Sequence, residues 1–302
     1  MGTVLLDSLV PIFAVMGLGY LAGWVRDIDN KNVTELNALV VDFALPAFLF
    51  VTTATTPRIL ITQLWPMLLV LGIVMLAFYA ISFWMQRRLF GLDSRAASVQ
   101  AITIAQPNYA ATGLPLIAAV FHHTHAVYVA LALVVGSVLT SPLTLAILDG
   151  GPPLRAVGRS LLKPIVLAPI LGIGFALLAV PLPDFIAESL TLIGQGAGGV
   201  AAFVTGLILS AQPVSLNANI VSGTLLKNVG QPLLAAGLIA LLPAGPQEAH
   251  ATILLAALPA GFFGVLFGLR YGVETHLAGS TLIASSLFSA VTLAIGLALL
   301  GG

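Results

Sequence analysis

Apolar stretches long enough to cross a bilayer follow one another along almost the whole chain, separated only by short connections. A spanning helix needs roughly 20 apolar residues. Only 7% of the 302 residues are charged, against about 25% in a soluble globular protein, so the chain could not cover a water-facing surface. We therefore predict an all-α polytopic membrane protein with ten transmembrane helices, at 3–24, 33–55, 64–85, 96–121, 126–148, 161–180, 190–210, 217–242, 250–269 and 277–300.

The composition argues against several other classes of function. The sequence contains no cysteine, which excludes disulfides, thiol catalysis and cysteine metal sites. Its formal net charge is zero, so there is no basic footprint for nucleic acid. We find no nucleophile–base pattern, phosphate loop or zinc motif, and predict neither an enzyme nor a cofactor. His122, His123 and His125 stand close together in an outer connection without a carboxylate nearby, and we predict no metal site there.

The positively charged residues are distributed unequally between the two sides of the predicted membrane. Cytoplasmic connections carry an excess of Lys and Arg. One side has only Arg58, whereas the other collects most of the basic residues, and we assign that side to the cytoplasm. Both termini then lie outside, in the periplasm of a bacterial inner membrane. The cytoplasmic basic residues are Arg26, Lys31, Arg87, Arg88, Arg95, Arg155, Arg159, Lys163 and Arg270.

Ten spans divide into two halves of five, and an odd number per half makes the halves insert in opposite orientations. The sequence carries a weak trace of such a repeat. GLGYLA, from Gly17, resembles GIGFAL, from Gly172, at an offset of 155 residues. We predict a 5+5 inverted repeat, with a first half at 1–148, a short cytoplasmic connection at 149–160 and a second half at 161–302.

The fourth span of each half contains proline and glycine near its middle. Proline lacks a backbone donor and clashes with the preceding helical turn. These residues predict breaks around 108–113 in the fourth helix and 258–261 in the ninth. Broken backbone at membrane depth is tolerated only where it is buried in protein or lines a wet cavity. Two breaks at matching positions of an inverted repeat indicate a transporter's binding site. Alternatively, the prolines and glycines merely kink the helices, since both are common in membrane helices.

An unwound segment exposes the N–H groups that begin the next half-helix, and these groups with the positive helix end favour an anion. The polar side chains beside the first break add hydrogen bonds that orient such a ligand. We predict a substrate site formed by Gln106, Asn108, Tyr109, Thr112, Gly113, Pro115, Lys227, Gln231, Pro259 and Gly261.

Two ionisable residues, Asp42 and Lys227, lie clearly within the predicted spans. Such residues are energetically costly in a membrane and usually face the bundle interior. We expect both to face the same core region. Three roles remain open: a structural ion pair, a proton or sodium carrier at Asp42, and a positive charge at Lys227 that neutralises a carboxylate substrate. Gln231 is one turn from Lys227 and extends the polar lining.

Three motifs resemble the auxin efflux carrier family, which includes plant carriers and bacterial malonate transporters. They are FALPAFLF at 43–50, QPNYAATGLPL at 106–116 and LPAGFFG at 258–264. The resemblance implies a fold similar to bile-acid symporters and sodium/proton antiporters, in which a scaffold holds a core domain with two crossed, broken helices. Asn108 and Pro115 match the first crossover and Pro259 the second. The chain lacks the long central loop of the plant carriers.

The resemblance implies a secondary active transporter that moves a small, malonate-like organic anion by an elevator mechanism. Proton coupling is favoured over sodium because Asp42 is the single carboxylate expected to be buried. The alternatives are a sodium-coupled bile-acid-type symporter, separable by the sodium dependence of uptake, and a channel or non-transporting membrane sensor. As partners we expect the anion and the lipid bilayer, with a homodimer as a candidate assembly and no nucleic acid.

Overall fold

The backbone is helical over nearly all of the part of the chain that the structure describes. The structure is a computed structural model that describes residues 2–30, 33–121, 126–150, 152, 155, 158, 161–211 and 215–300. Five helices are long and apolar enough to cross a membrane: Thr34–Ala54, Trp65–Arg88, Tyr128–Asp149, Asp184–Ser210 and His276–Leu299. The chain is therefore a multi-pass membrane protein.

Fourteen helical segments follow one another in the described residues, numbered here in chain order. They are α1 Gly2–Trp24, α2 Thr34–Ala54, α3 Arg58–Gln63, α4 Trp65–Arg88, α5 Ser94–Ala105, α6 Leu114–Phe121, α7 Ala126–Asp149, α8 Pro164–Leu177, α9 Asp184–Gly194, α10 Ala197–Ser210, α11 218–239, α12 Pro246–Ala257, α13 Phe263–Arg270 and α14 His276–Leu300. The stretches predicted as the fourth and ninth spans are each divided into two half-helices, α5 with α6 and α12 with α13.

Wide, π-helical turns interrupt the regular α-helix at three places, and a proline follows each of them by two residues. Proline cannot donate to the carbonyl four residues earlier, and its ring crowds that carbonyl, so the preceding turn widens. Such turns are frequent at functional sites, and these three contain Asp42, Thr112 and Lys227. The turns are Leu39–Ala44 before Pro46, Tyr109–Gly113 before Pro115 and Leu226–Gly230 before Pro232.

The long helices pack into two groups. The panel consists of α1, α2, α8, α9 and α10, with α1 against α10 and α2 against α8. A Cβ at Gly19 would overlap the carbonyl oxygen of Phe203, and one at Gly206 would overlap that of Met16. Small residues let membrane helices approach this closely, and here the two glycines allow α1 and α10 to pack directly against each other.

The crossover group consists of α4 to α7 and α11 to α14, and it contains both interrupted helices. The turn at Tyr109–Gly113 and the following helix α6 lie against α1, and the same turn contacts α10. At the other end of the group, α13 packs against the start of α2. The first interruption therefore faces the panel.

Candidate functional site

The two interruptions meet inside the crossover group and complete each other's backbone hydrogen bonds. Pro107 and Ala260 form an antiparallel β-bridge. The Asn108 N–H donates to the Pro259 carbonyl oxygen at 2.9 Å. The Gly261 N–H donates to the Thr103 carbonyl oxygen at 3.1 Å. Unpaired backbone groups are costly away from water, so each interruption stabilises the other. The predicted breaks at 108–113 and 258–261 lie at this crossing.

Glycine is required where the two backbones touch. A Cβ at Gly261 would overlap the carbonyl oxygen of Gln106, and one at Gly264 would overlap the carbonyl oxygen of Val99 and the hydroxyl of Thr103. Backbone atoms cannot move aside as a flexible side chain can. The glycines of the second interruption therefore determine how closely the two backbone segments approach each other.

Ser285, on α14, forms hydrogen bonds that stabilise the second interruption. The Ser285 hydroxyl oxygen accepts the Ala260 N–H at 2.8 Å and lies 2.5 Å from the Asn228 side-chain oxygen, to which it donates. Asn228 returns a hydrogen bond from its amide nitrogen to the Ser285 carbonyl oxygen at 3.0 Å. The sequence analysis missed Ser285, whose only signal was a hydroxyl residue in a long apolar helix.

The polar side chains of the first interruption are buried without completing their hydrogen bonds. Gln106, Tyr109 and Thr112 are 0%, 1% and 1% exposed. Thr140 donates to the Gln106 side-chain oxygen at 3.1 Å. The Gln106 amide nitrogen and the hydroxyls of Tyr109 and Thr112 have no partner among the described residues. An unsatisfied buried polar group costs about 1–3 kcal/mol. These three groups are therefore available to a water molecule or a ligand.

The start of α6 lies beside these groups. The Thr112 and Gly113 N–H groups donate to the Asn108 carbonyl oxygen at 3.1 and 3.2 Å. Pro115 follows the wide turn Tyr109–Gly113 by two residues, and its missing N–H leaves a carbonyl of that turn without its usual helical partner. A Cβ at Gly113 would contact Val129 and Leu258, so this position also needs a small residue. The turn Tyr109–Gly113 runs directly into α6, so the positive end of this helix lies at Tyr109, beside the crossing.

Lys227 and Gln231 lie beside the ends of α5 and α12 that lead into the crossing. Their turn packs against α5, α12 and α14 within the crossover group. Lys227 is fully buried, and its ammonium donates to the Gln231 side-chain oxygen at 2.8 Å and the Ala256 carbonyl oxygen at 2.7 Å. Gln231 donates in turn to the carbonyl oxygens of Ile104 and Ala105, at 2.7 and 3.2 Å. These two predicted site residues therefore contact the backbone that leads into the breaks.

Asp42 lies elsewhere, and two expectations about it were wrong. It forms an ion pair with Arg270, with its side chain 23% exposed, so it is not a fully buried carboxylate. It does not share a region with Lys227, because α2 belongs to the panel whereas Lys227 is enclosed by the crossover group. Arg270 had been interpreted only as a charge of a cytoplasmic connection.

A buried amide cluster joins α4, α5, α11 and α14. Gln86 and Asn219 exchange two side-chain hydrogen bonds, and the Gln100 amide nitrogen donates to Thr281 at 2.7 Å. Asn219 is 5% exposed and is enclosed by the surrounding helices. The three histidines at 122, 123 and 125 lie outside the described residues. Within the described ranges, no group of three His, Asp or Glu side chains has the arrangement of a metal site.

A second polar cluster lies where α7, α8 and α13 end or begin. The Tyr271 hydroxyl donates to Asp149 at 2.8 Å, and the Lys163 ammonium lies 3.6 Å from the same carboxylate. Burial, and then the bond to Asp149, raise the pKa of Tyr271, so the phenol keeps its proton as a donor. The cluster ties the start of panel helix α8 to the crossover group.

Comparison with known proteins gives a family match over nearly the whole chain, two nearly full-length relatives and one partial match. A family model described as membrane transport protein matches residues 4–152 and 154–297. An Escherichia coli K12 protein named "Uncharacterized transporter YfdV" is 28% identical over 96% of both chains. A Rhizobium meliloti protein named "Putative malonate transporter" is 27% identical over 94% of this chain and 92% of its own. Auxin efflux carrier component 6 of Arabidopsis thaliana is 28% identical over 45% of this chain and 25% of its own.

Proposed function

The chain belongs to the membrane transport protein family, to which the auxin efflux carriers are related, and we propose that it is a secondary active transporter of a small organic anion. Proteins of this family are membrane transporters, so the chain is a transporter and not an enzyme. The proposed site is the face of the crossing that contains Gln106, Tyr109, Thr112 and the start of α6.

One observation carries this proposal: among the described residues, three buried polar groups without a hydrogen-bond partner lie between Gln106 and Thr112. They are the amide nitrogen of Gln106 and the hydroxyls of Tyr109 and Thr112. Each can donate a hydrogen bond, and the positive end of α6 adds to their attraction for negative charge. Three donors beside a helix N-terminus match the acceptor oxygens of a carboxylate better than they match a cation.

We propose a malonate-like short carboxylate as the substrate. The side chains of Gln106, Tyr109 and Thr112 are at most 1% exposed, so the site is closed in this conformation and suits a small ligand. The relative named as a malonate transporter supports the same class of substrate. A bulky amphipathic acid such as a bile salt would require the panel and the crossover group to separate further.

The division into two helix groups supports an elevator mechanism in which the crossover group moves along the panel. In the proposed arrangement of ten spans, each half contributes two spans to the panel and three to the crossover group. That equal division is what an inverted 5+5 repeat would produce. We propose a bacterial inner-membrane location with both termini in the periplasm, and proton rather than sodium coupling.

The test is a thermal-shift titration of the purified full-length protein in detergent. The ligands are malonate, succinate, benzoate, indole acetate and taurocholate. The variant Thr112→Val removes an unpaired hydroxyl. Its matched control is Thr144→Val, which removes a buried hydroxyl that donates to the Thr140 carbonyl oxygen at 3.1 Å and can accept from the Tyr79 hydroxyl at 3.0 Å.

We expect malonate or succinate to raise the melting temperature of the wild type and of Thr144→Val, but not of Thr112→Val. Without ligand, Thr112→Val should be at least as stable as the wild type, because it removes an unsatisfied polar group. Thr144→Val should be less stable. Stabilisation by taurocholate alone, or an equal malonate shift in all three proteins, would reject the proposed site.

A further inference from the structure

Helix α1 ends in a backbone turn that usually contains glycine, and here the residue in that position is Arg26. The Arg26 N–H donates to the Gly23 carbonyl oxygen at 3.3 Å, and the Asp27 N–H donates to the Ala22 carbonyl oxygen at 3.0 Å. This pair of hydrogen bonds defines a Schellman cap, in which the residue after the helix adopts a left-handed backbone. Arg26 has a φ of 60°, which is strained for a residue with a side chain. Strain of this kind is found where a side chain has a function.

Arg26 lines a surface cavity of about 580 Å³ at the point where α1 and α10 end. A Cβ at Gly23 would overlap the Ser210 hydroxyl oxygen, so the two helix ends lie in direct contact. The Asn30 amide nitrogen donates to the Ser210 hydroxyl oxygen at 2.8 Å and to the Gly23 carbonyl oxygen at 3.3 Å. These contacts fix the walls of the cavity without using the guanidinium of Arg26.

The cavity contains charges of both signs at the level where α1 leaves the bilayer. Among the described residues that line it, Arg26 and Asp29 are charged. Trp24 lines it as well and is 70% exposed, next to the exposed apolar residues Leu21 and Val25. Tryptophan is enriched at the membrane–water interface. The cavity therefore lies at the depth of the lipid headgroups.

We propose that this cavity binds the zwitterionic headgroup of phosphatidylethanolamine. Arg26 presents planar donors that bind phosphate oxygens in pairs, and the Asp29 carboxylate accepts hydrogen bonds from a primary ammonium. An anionic headgroup such as phosphatidylglycerol would bring no cation to Asp29, and the trimethylammonium of phosphatidylcholine has no N–H to donate. The exposed indole of Trp24 contacts the acyl chains below the headgroup.

Both helices that line the cavity belong to the panel, so a bound headgroup would hold the panel at a fixed depth in the bilayer. A panel held in this way is the stationary partner that an elevator mechanism needs, and this consequence rests on the proposed function. Binding of the lipid itself requires only that the chain is a membrane protein.

The test is thermal unfolding of the purified, delipidated full-length protein in mixed micelles. Dioleoyl phosphatidylethanolamine, phosphatidylcholine and phosphatidylglycerol are added at equal mole fraction, and glycerophosphoethanolamine supplies the same headgroup without acyl chains. Arg26→Gly removes the guanidinium from the strained position. Its matched control is Ala179→Gly after α8, because Ala179 has a φ of 53° and forms the same pair of capping hydrogen bonds.

A second pair of variants tests the carboxylate. Asp29→Asn removes the negative charge from the cavity. The control is Asp27→Asn, which removes an exposed carboxylate two residues away that does not line the cavity.

We expect phosphatidylethanolamine to raise the melting temperature of the wild type by several degrees more than the other two lipids. Without lipid, both glycine variants should be at least as stable as the wild type, because glycine adopts a positive φ without strain. Arg26→Gly should lose the response to phosphatidylethanolamine, whereas Ala179→Gly should keep it. Asp29→Asn should respond equally to phosphatidylethanolamine and phosphatidylcholine, and Asp27→Asn should behave as the wild type does.

Three results would overturn the proposal. Equal stabilisation of the wild type by all three lipids would mean general solvation by the bilayer. A full response of Arg26→Gly to phosphatidylethanolamine would place the lipid elsewhere. Equal stabilisation by glycerophosphoethanolamine would mean that the ligand is a soluble phosphate ester. The lipid series contains no transported anion, so its outcome is separate from the test of the proposed function.

Discussion

Asp42 and Arg270 form an ion pair across the boundary between the panel and the crossover group. The Asn37 amide nitrogen donates across the same boundary to the Leu266 carbonyl oxygen at 2.8 Å. Both links join α2 to α13. They fasten the two groups in the conformation described here, and a shift of one group along the other would have to break them.

We expect Asp42→Asn to keep the pH dependence of uptake and to change its rate by no more than about fivefold, since a partly exposed ion pair is worth about 1 kcal/mol or less. The measurement is uptake of radiolabelled malonate into proteoliposomes from acidic to neutral pH. The exchanged pair, Asp42→Arg with Arg270→Asp, should return the rate toward that of the wild type.

Proton coupling at Asp42 predicts a different profile for the same variant. If Asp42 carries the coupling proton, Asp42→Asn would abolish the response to pH, and the exchanged pair would not restore it. That result would assign coupling to Asp42 and reject its interpretation as a link between the two groups.

Gly261→Ala should strongly destabilise the protein. The new methyl group would overlap the Gln106 carbonyl oxygen at the crossing, and overpacking of this kind costs about 1–3 kcal/mol. The matched control is Gly237→Ala, a helical position in α11 with nothing within 4 Å of the added Cβ. We expect Gly237→Ala to be neutral or slightly stabilising in thermal unfolding, and equal effects of the two changes would contradict the described crossing.

The pair formed by Gln86 and Asn219 should give a large coupling energy. Replacing either residue by leucine leaves the other amide buried and unpaired, at a cost of about 1–3 kcal/mol. Replacing both removes the unpaired group, so the double variant should be more stable than the sum of the two single losses predicts. A double-mutant cycle measured by thermal unfolding checks this, and additive losses would mean that the two amides do not interact.

The predicted orientation can be tested directly, because the chain has no cysteine of its own. Leu162 and Leu241 are 70% and 80% exposed and lie at the ends of predicted spans that face the cytoplasm and the periplasm, respectively. In intact cells, a membrane-impermeant maleimide should label Leu241→Cys and leave Leu162→Cys unlabelled. Permeabilised cells provide the control, in which both should react. The reverse labelling pattern would mean that the chain is inserted in the opposite orientation, with both termini in the cytoplasm.

The sequence predicted where the helices are interrupted more successfully than how the buried charges are paired. Pro107, Pro115 and Pro259 act on their own turn of backbone, so the residues themselves mark the breaks. The π-helical turns before Pro46 and Pro232 have the same local cause, although the sequence analysis did not predict these two turns. Ser285 carried no local signal, because its role depends on α14 lying behind the second interruption.

The sequence by itself determined that the chain lies in a membrane and where its two central helices break, because apolar length and proline geometry are local properties. Only the tertiary structure decided the partners of Asp42 and Lys227. Asp42 and Arg270 are 228 residues apart, and Gln231 reaches Ile104 across 127. A buried charge takes its partner from whichever helices the fold brings beside it, and the spacing of residues along the chain does not contain that information.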